Sequence, residues 1–299
     1  MENNIHNSFI LVPELALIKS LEPQYQMRFE KALELMHNNL AEKFSWEQIA
    51  EKSHISPYHF HRQFTSLFNE TPGHYLSRIK LQTAVSKIMS DERQKITDIA
   101  YYCGFCSSQA LAKVLQREFQ MSAKSLREFA STATPEQTRK LLSKVAHPAN
   151  NAPMERNLAE QMPVEVIWYP KRGMKVVEFP DFDWDIAYDR YGEAATDLLV
   201  SVKVSELDKK WGQIQYKVGN WRADEKELTE FIDEGYFLCC EVSLSSDAAY
   251  IEAIAKLFEY AEKQGFEIEE SAHLIEILRN IDSSSSGLAS FSFQLPVSM

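Results

Sequence analysis

Two short stretches of this chain set basic and amide side chains on one side of a helix. In residues 56–68, Phe60, Phe64 and Phe68 recur every four positions as an apolar stripe. Tyr58, His59, His61, Arg62 and Gln63 therefore fall on or near the outer face. In residues 107–119 the stripe is Leu111, Leu115 and Phe119, which turns Ser108, Gln109, Lys113, Gln116 and Arg117 outward. Guanidinium and ammonium groups suit guanine edges or phosphates, and a glutamine amide can pair with adenine. A third feature is a lone acid: strand alternation places Glu276 between Leu274 and Leu278 on one face. Burying a carboxylate there is costly unless something pairs with it.

The elements that must position the two polar faces are repeated. Residues 45–72 and 95–123 share one order: Ile49-Ala50, a turn at His54-Ile55 and a second helix, then Ile99-Ala100, Gly104-Phe105 and a second helix. The offset is about 50 residues, the period of a repeated supersecondary unit. Each copy reads as helix, tight turn, helix, a motif whose second helix lies in the DNA major groove. Ser56 can cap the first copy's second helix, with Pro57 at its first position, where the missing N–H costs nothing. Residues 73–92 read as an amphipathic rod between the copies, with Tyr75, Ile79, Leu81, Val85 and Ile88 apolar.

Residues 24–131 resemble the AraC/XylS-type DNA-binding domain, two helix-turn-helix units joined by a long helix. The resemblance rests on Ile-Thr-Asp-Ile-Ala-Tyr-Tyr-Cys-Gly-Phe-Cys-Ser-Ser-Gln-Ala-Leu at 96–111, followed by Phe119. It implies Tyr58, His61 and Arg62 as contacts of the first recognition helix, and Ser108, Gln109 and Lys113 as those of the second. It also implies double-stranded DNA and RNA polymerase as partners. Three departures matter. His54 stands where the family usually has glycine, and a left-handed turn costs histidine more than glycine. Gln120-Met121-Ser122-Ala123 replaces the usual Gly-x-Thr-Pro. Ala110 and Ala112 leave the second recognition helix poor in donors, so it is expected to touch mainly backbone, which positions but does not specify.

The net charge of −11 divides unevenly along the chain. Residues 24–130 hold 14 Lys+Arg against 11 Asp+Glu, and residues 161–299 hold 13 against 26. A mildly basic reader joined to an acidic partner is the pattern expected. The length of 299 residues suits two domains. Four cysteines are too few for a disulfide scaffold. Cys103-Gly-Phe-Cys106 lacks a second pair to complete a zinc set, and Cys239-Cys240 sit in an apolar run, so all four read as structural. The apolar run at residues 9–18 contains Pro13 and Glu14, has no basic lead-in and is too short to span a bilayer. It reads as a packed N-terminal arm (1–23), and a cytoplasmic protein with no membrane partner and no cofactor is expected.

After a polar stretch at 132–160, read as a short helix near 135–144 and a linker, the period becomes strand-like. Strands are expected at 164–169, 174–179, 214–218, 236–242, 273–279 and 290–297, with helices near 183–204 and 248–264. Mixed strands with two helices give an α+β domain at 161–299. This half resembles the GyrI-like effector-binding domain, a duplicated strand-helix-strand fold, through its element order and its final His-Leu-Ile-Glu-Ile-Leu-Arg strand, residues 273–279. The resemblance implies a carboxylate, here Glu276, at the floor of a pocket for a small molecule. Two readings stay open: Glu276 pairs with a Lys or Arg or lies at a sheet edge, or it faces an aromatic cavity that attracts a cationic or amphipathic effector. Trp168, Trp184, Trp221 and Tyr236 are the candidate walls. No nucleophile–base pair stands out, so a non-enzymatic regulator is expected. The alternatives are hydrolysis of a small electrophile with Glu276 as acid or base, and a domain that serves only stability or dimerisation.

Overall fold

The computed structural model describes residues 8–38, 40–42, 44–90, 92–179, 182–282 and 288–298. They form two compact units: a helical one over Val12–Asn157, and an α+β one from the described residues of Met1–Leu11, Leu158–Ser283 and Gly287–Met299.

The helical unit runs α1 (Pro13–Ile18), α2 (Pro23–Asn38), α3 (Trp46–Lys52), α4 (Pro57–Phe68), α5 (Pro72–Ser90), α6 (Ile96–Tyr102), α7 (Ser108–Phe119), α8 (Ala123–Thr132) and α9 (Pro135–Leu142); the division from the other unit falls within α10 (Met154–Ala159). The stripe of α4 is the reason for its packing. Phe60, Phe64 and Phe68 are fully buried against Phe29 of α2 and Tyr75 of α5, with Phe64 and Phe68 stacked at 4.2 Å. Each such ring contributes on the order of 2–3 kcal/mol by leaving water. The rod expected between the copies is α5, whose buried side includes Tyr75, Ile79, Leu81, Val85 and Ile88. Its 19 residues span about 28 Å at the helical rise.

The arm from Val12 onward and the segment read as linker up to Asn157 are parts of this unit. In α1, Pro13 and Ile18 are buried, and Ile18 joins the core around Phe29. Beyond α8, Thr134 and Gln137 form a capping box for α9, and Leu141, Leu142 and Val145 are buried. His147 and Glu155 are buried too, with both carboxylate oxygens of Glu155 accepting from the His147 backbone N–H at 3.0 Å. The Pro and Asn content of 148–153 suggests a linker, yet its flanking residues carry apolar and paired polar groups into the core.

The α+β unit contains β1 (Phe9–Ile10), β2 (Glu165–Tyr169), β3 (Arg172–Val177), α11 (Trp184–Tyr191), β4 (Leu198–Lys203), β5 (Tyr216–Asn220), β6 (Glu230–Ile232), β7 (Gly235–Leu244), α12 (Asp247–Gln264), β8 (Glu267–Ile268), β9 (His273–Asp282) and β10 (Leu288–Ser298). The sheet order is β1-β7-β10-β9-β4-β5-β3-β6, with β2 paired to β7 and β8 to β10. The series β3-α11-β4-β5 and β7-α12-β9-β10 are the same strand-helix-strand-strand pattern, each placing its last strand between its first two. They meet where β4 and β9 pair antiparallel, with Val200 opposite Glu276. This is the duplicated fold that the resemblance implies.

Residues 183–204 are not one helix. Here α11 stops at Gly192, whose φ of 58° breaks the helix, a 3-10 turn follows to Asp197, and β4 begins at Leu198. Leu198, Leu199, Val200, Ser201 and Val202 are all buried, so the strand is covered on both faces. Such a strand loses its alternation and cannot be told from a helix by period alone. The N-terminal arm supplies another surprise: Phe9 and Ile10 form a parallel edge strand on β7, in register with Val242 and Ser243.

Candidate nucleic-acid interface and effector site

Both helix-turn-helix copies close their turns with the same bonds. In the first, backbone N–H groups of Ser53, His54 and Ile55 donate to the carbonyls of Ile49, Glu51 and Ala50 at 3.0, 3.0 and 2.9 Å. In the second, Cys103, Gly104 and Phe105 donate to Ile99, Tyr101 and Ala100 at 3.0, 3.0 and 2.8 Å. The central residue is left-handed in each, with φ of 57° at His54 and 73° at Gly104. Only the second requires glycine sterically: a Cβ on Gly104 would lie 1.9 Å from the carbonyl oxygen of Leu40.

Helix α4 starts with Ser56 at the cap position, but the Ser56 side chain makes no cap bond, and the start relies on Pro57. Helix α7 is capped by Ser107, whose hydroxyl accepts from the Ala110 N–H at 3.1 Å. Both helices end left-handed, at Asn69 and Gln120. Tyr58 is 72% exposed, and Arg62, Gln109 and Lys113 are exposed as well. Ser108 is half-buried at the first position of α7. His61 is half-buried, tilted against the Trp46 ring with centroids 5.2 Å apart. Among the described residues neither Arg62 nor Lys113 is in an ion pair. Of the C-x-x-C pair, Cys103 is buried, its thiol pushed up to about 12 by burial, while Cys106 is exposed.

A buried polar hub ties α1, α2 and the loop after α4 to α5. Arg78 donates from Nε and Nη2 to Glu70 Oε1 at 2.9 and 2.7 Å, and its Nη1 donates to the Val145 carbonyl at 3.4 Å. Tyr75 donates its hydroxyl to Glu14 Oε1 at 3.0 Å and meets His37 Nε2 at 2.7 Å. Burial would raise the Glu14 carboxyl, but His37, Arg78 and His147 together outweigh it and hold it below the usual carboxylate value. Burial, then Arg78, depresses the His147 imidazole to about 4. Burial raises the Glu155 carboxyl to about 7 against the bond from the His147 N–H.

Glu276 lies at the seam of the two sheet repeats and is 8% exposed. It is neither at a sheet edge nor paired with a cation: among the described residues no Lys, Arg or His comes within 4.0 Å of it. Its Oε2 accepts from Trp184 Nε1 at 3.3 Å and from the Tyr250 hydroxyl, while Oε1 has no partner among the described residues. Burial raises the carboxyl above its ordinary pKa, and these two bonds only partly oppose it. Aromatic rings surround the pair of donors: Trp184 meets Phe182 and Phe291 edge-on, and Tyr250 meets Phe291 and Phe293.

The other sequence-selected aromatics lie elsewhere in this unit. Trp168 and Tyr236 are directly opposite on β2 and β7, both exposed. Trp221 packs on the second sheet face, beside the cluster of Leu199, Phe237, Ile275 and Ile277, and donates Nε1 to the Thr196 carbonyl at 3.3 Å. Tyr250 was missed by sequence reading, although it follows the spacing of Ala253, Leu257 and Ala261 on the buried side of α12. Among the described residues no group of three or more His, Cys, Asp or Glu side chains could hold a metal ion. No described helix is long and apolar enough to cross a membrane.

Comparison with known proteins matches residues 49–128 to a family described as "Helix-turn-helix domain". Over 101 residues the chain is 34% identical to the HTH-type transcriptional activator RhaS of Citrobacter koseri, covering 34% of this chain and 36% of that one. The chain thus spans little more than a third of the length of that curated relative. A transcriptional regulator from Chromobacterium violaceum, with an AraC-type DNA-binding domain, aligns over 38% of this chain and 99% of its own at 21% identity and a TM-score of 0.34. The structure of SAV2435 bound to tetraphenylphosphonium aligns over 46% of this chain and 94% of its own at 13% identity and a TM-score of 0.32.

Proposed function

We infer that this chain, which carries a helix-turn-helix domain of the AraC type, is a DNA-binding transcription regulator whose α+β unit senses a small cationic or amphipathic molecule. The observation that carries the DNA reading is the repeat: two turns closed by matching backbone bonds, each leading into a helix with a polar outer face. In this reading Tyr58, His61 and Arg62 read base edges in double-stranded DNA. Ser108, Gln109 and Lys113 hold the second unit on the phosphate backbone. RNA polymerase is the further partner implied by the family. Specificity is tested by selecting bound sequences from random duplexes with the purified protein. On the selected operator, Arg62→Ala is expected to cost about 1–3 kcal/mol, the value of one bidentate base contact. On random duplex the loss should be smaller, and equal losses on both would reject base reading by Arg62.

The effector reading is supported by Glu276, a carboxylate without a cation, with one oxygen uncommitted and aromatic rings around the other. A cation surrounded by aromatic faces beside a carboxylate is stabilised by both. To regulate, it must bind one arrangement of the protein more tightly than the other. Benzyltrimethylammonium serves as a probe: the full chain should bind it, and Glu276→Gln should not. Equal binding by both would remove Glu276 from the site.

A further inference from the structure

We propose that Arg172 is the anion-binding residue of a second ligand site, on the sheet face opposite Glu276, that takes a small flat organic carboxylate. This goes beyond the sensing of a cation at Glu276 and does not depend on it. The two faces are distinguished by register. Phe293 pairs with Glu276 and touches Tyr250, so that face belongs to Glu276. Ser292 and Gln294, its neighbours on β10, therefore point to the other side. There, β3 begins with Arg172, whose Nη2 donates to Gln294 Oε1 at 2.7 Å. Gln294 in turn donates Nε2 to Ser292 Oγ at 3.2 Å, and both residues are fully buried.

The guanidinium is held on three sides and lacks a counter-ion among the described residues. Its carbon lies 3.9 Å from the centroid of the Tyr169 ring and 5.1 Å from that of Phe237. Nε is buried and has no hydrogen-bond partner among the described residues. No described carboxylate oxygen comes within 4.0 Å of it. Arg279, another cation on this face, is already engaged by Glu241 at 3.5 Å and lies over Trp221. Burial, the largest influence on Arg172, lowers its pKa, as expected for a cation taken from water without an anion.

A charge in that condition costs stability, and the deficit is recovered when an anion arrives. The guanidinium is planar and carries five N–H donors, a fork that matches a carboxylate edge better than a point charge does. The half-buried rings of Tyr169 and Trp221 supply flat apolar surface for the body of the ligand. The competing explanation is structural, with Arg172 acting only as a staple from the start of β3 to β10. The two explanations predict opposite effects on the ligand-free protein. Removing an uncompensated charge leaves stability unchanged or raised, whereas removing a staple lowers it.

The test uses the full chain, benzoate as the anionic probe and benzylamine as its cationic counterpart of similar shape. Titration calorimetry should show benzoate binding at millimolar concentration to the wild type and to Glu276→Gln. Binding should fall at least tenfold in Arg172→Met, and by less in Arg172→Lys, which keeps the charge and loses the fork. Benzylamine should be indifferent to Arg172→Met. Without ligand, Arg172→Met should melt at or above the wild-type temperature. Absence of benzoate binding to the wild type overturns the proposal, as does undiminished binding by Arg172→Met. Should Arg172→Met melt lower or fail to fold, Arg172→Lys decides: undiminished benzoate affinity there assigns Arg172 to the staple and overturns the proposal. Loss of cation binding in Glu276→Gln with benzoate binding intact would separate the two sites.

Discussion

The turns that lead into α4 and α7 have nearly the same backbone, and they should respond to substitution in opposite ways. At Gly104, alanine must adopt a φ of 73°, which costs about 1 kcal/mol for an L residue. Its Cβ would also meet the Leu40 carbonyl oxygen at 1.9 Å and carbon at 3.0 Å, with Lys80 Nζ at 3.1 Å. The lysine can swing away, but the carbonyl belongs to backbone and cannot. Moving it adds about 1–3 kcal/mol of overpacking strain, so Gly104→Ala should destabilise the helical unit by about 2–4 kcal/mol. His54 already bears the left-handed conformation, with φ of 57°. His54→Gly relieves about 1 kcal/mol of that strain and loses roughly 0.5–1 kcal/mol to the entropy of glycine. Its net effect should lie within about 0.5 kcal/mol of zero. Urea denaturation of the two variants, followed by helical circular dichroism, measures both changes. Duplex-binding assays should show Gly104→Ala losing affinity as α7 loses its seat. A Gly104→Ala cost below about 1 kcal/mol would refute the close approach to Leu40 on which the reasoning depends.

Other predictions concern protons and charge. The folded Glu155 carboxyl is raised from 4.5 to about 7, so its contribution is full at low pH and is lost as pH rises through 7. The folded His147 imidazole is lowered from 6.5 to about 4, so its contribution is full above 6.5 and lost as pH falls toward 4. Each shift corresponds to roughly 3 kcal/mol, and between pH 4 and 7 they cancel, because folded and unfolded states hold equal protons on the pair. Glu155→Gln leaves His147 alone, so relative to wild type that variant should lose about 3 kcal/mol between pH 7 and 4; a parallel pH profile would disprove the assignment. Cation affinity at Glu276 should weaken as pH falls toward its raised pKa, and Tyr250→Phe should move that loss to higher pH in titrations with benzyltrimethylammonium. Lys113→Ala should weaken binding to every duplex alike and reduce the slope of affinity against salt by about one; a sequence-dependent loss would give Lys113 a base contact instead.

The helical half was largely legible because its signals are local. Phe60, Phe64 and Phe68 mark one stripe, Leu111, Leu115 and Phe119 another, and each buried set follows the period of its own helix. The cap at Ser56 was misjudged because serine at that position can leave the work to Pro57. The sheet half hid its features in long-range pairing. The residues of β4 carry no alternation, since both faces are covered, and its first leucines continue the apolar pattern of α11. Glu276 was conspicuous between two leucines, and Trp184 does reach it, but Trp168 and Tyr236 share an edge pair distant in register from β9. Arg172 gave no signal at all: its isolation depends on Gln294, more than a hundred residues away in sequence.

The residues ahead of the first helix-turn-helix unit bear on how the protein can be cut. Ser8 bonds its hydroxyl to that of Ser243 at 2.6 Å, Leu11 donates to the Ser243 carbonyl at 2.8 Å, and only three residues beyond Leu11, Glu14 receives the Tyr75 hydroxyl. A fragment trimmed to begin at residue 24 would strip the sheet of its border strand. It would also leave Tyr75 and Arg78 facing a missing carboxylate. Such a fragment is expected to be poorly soluble for reasons unrelated to DNA.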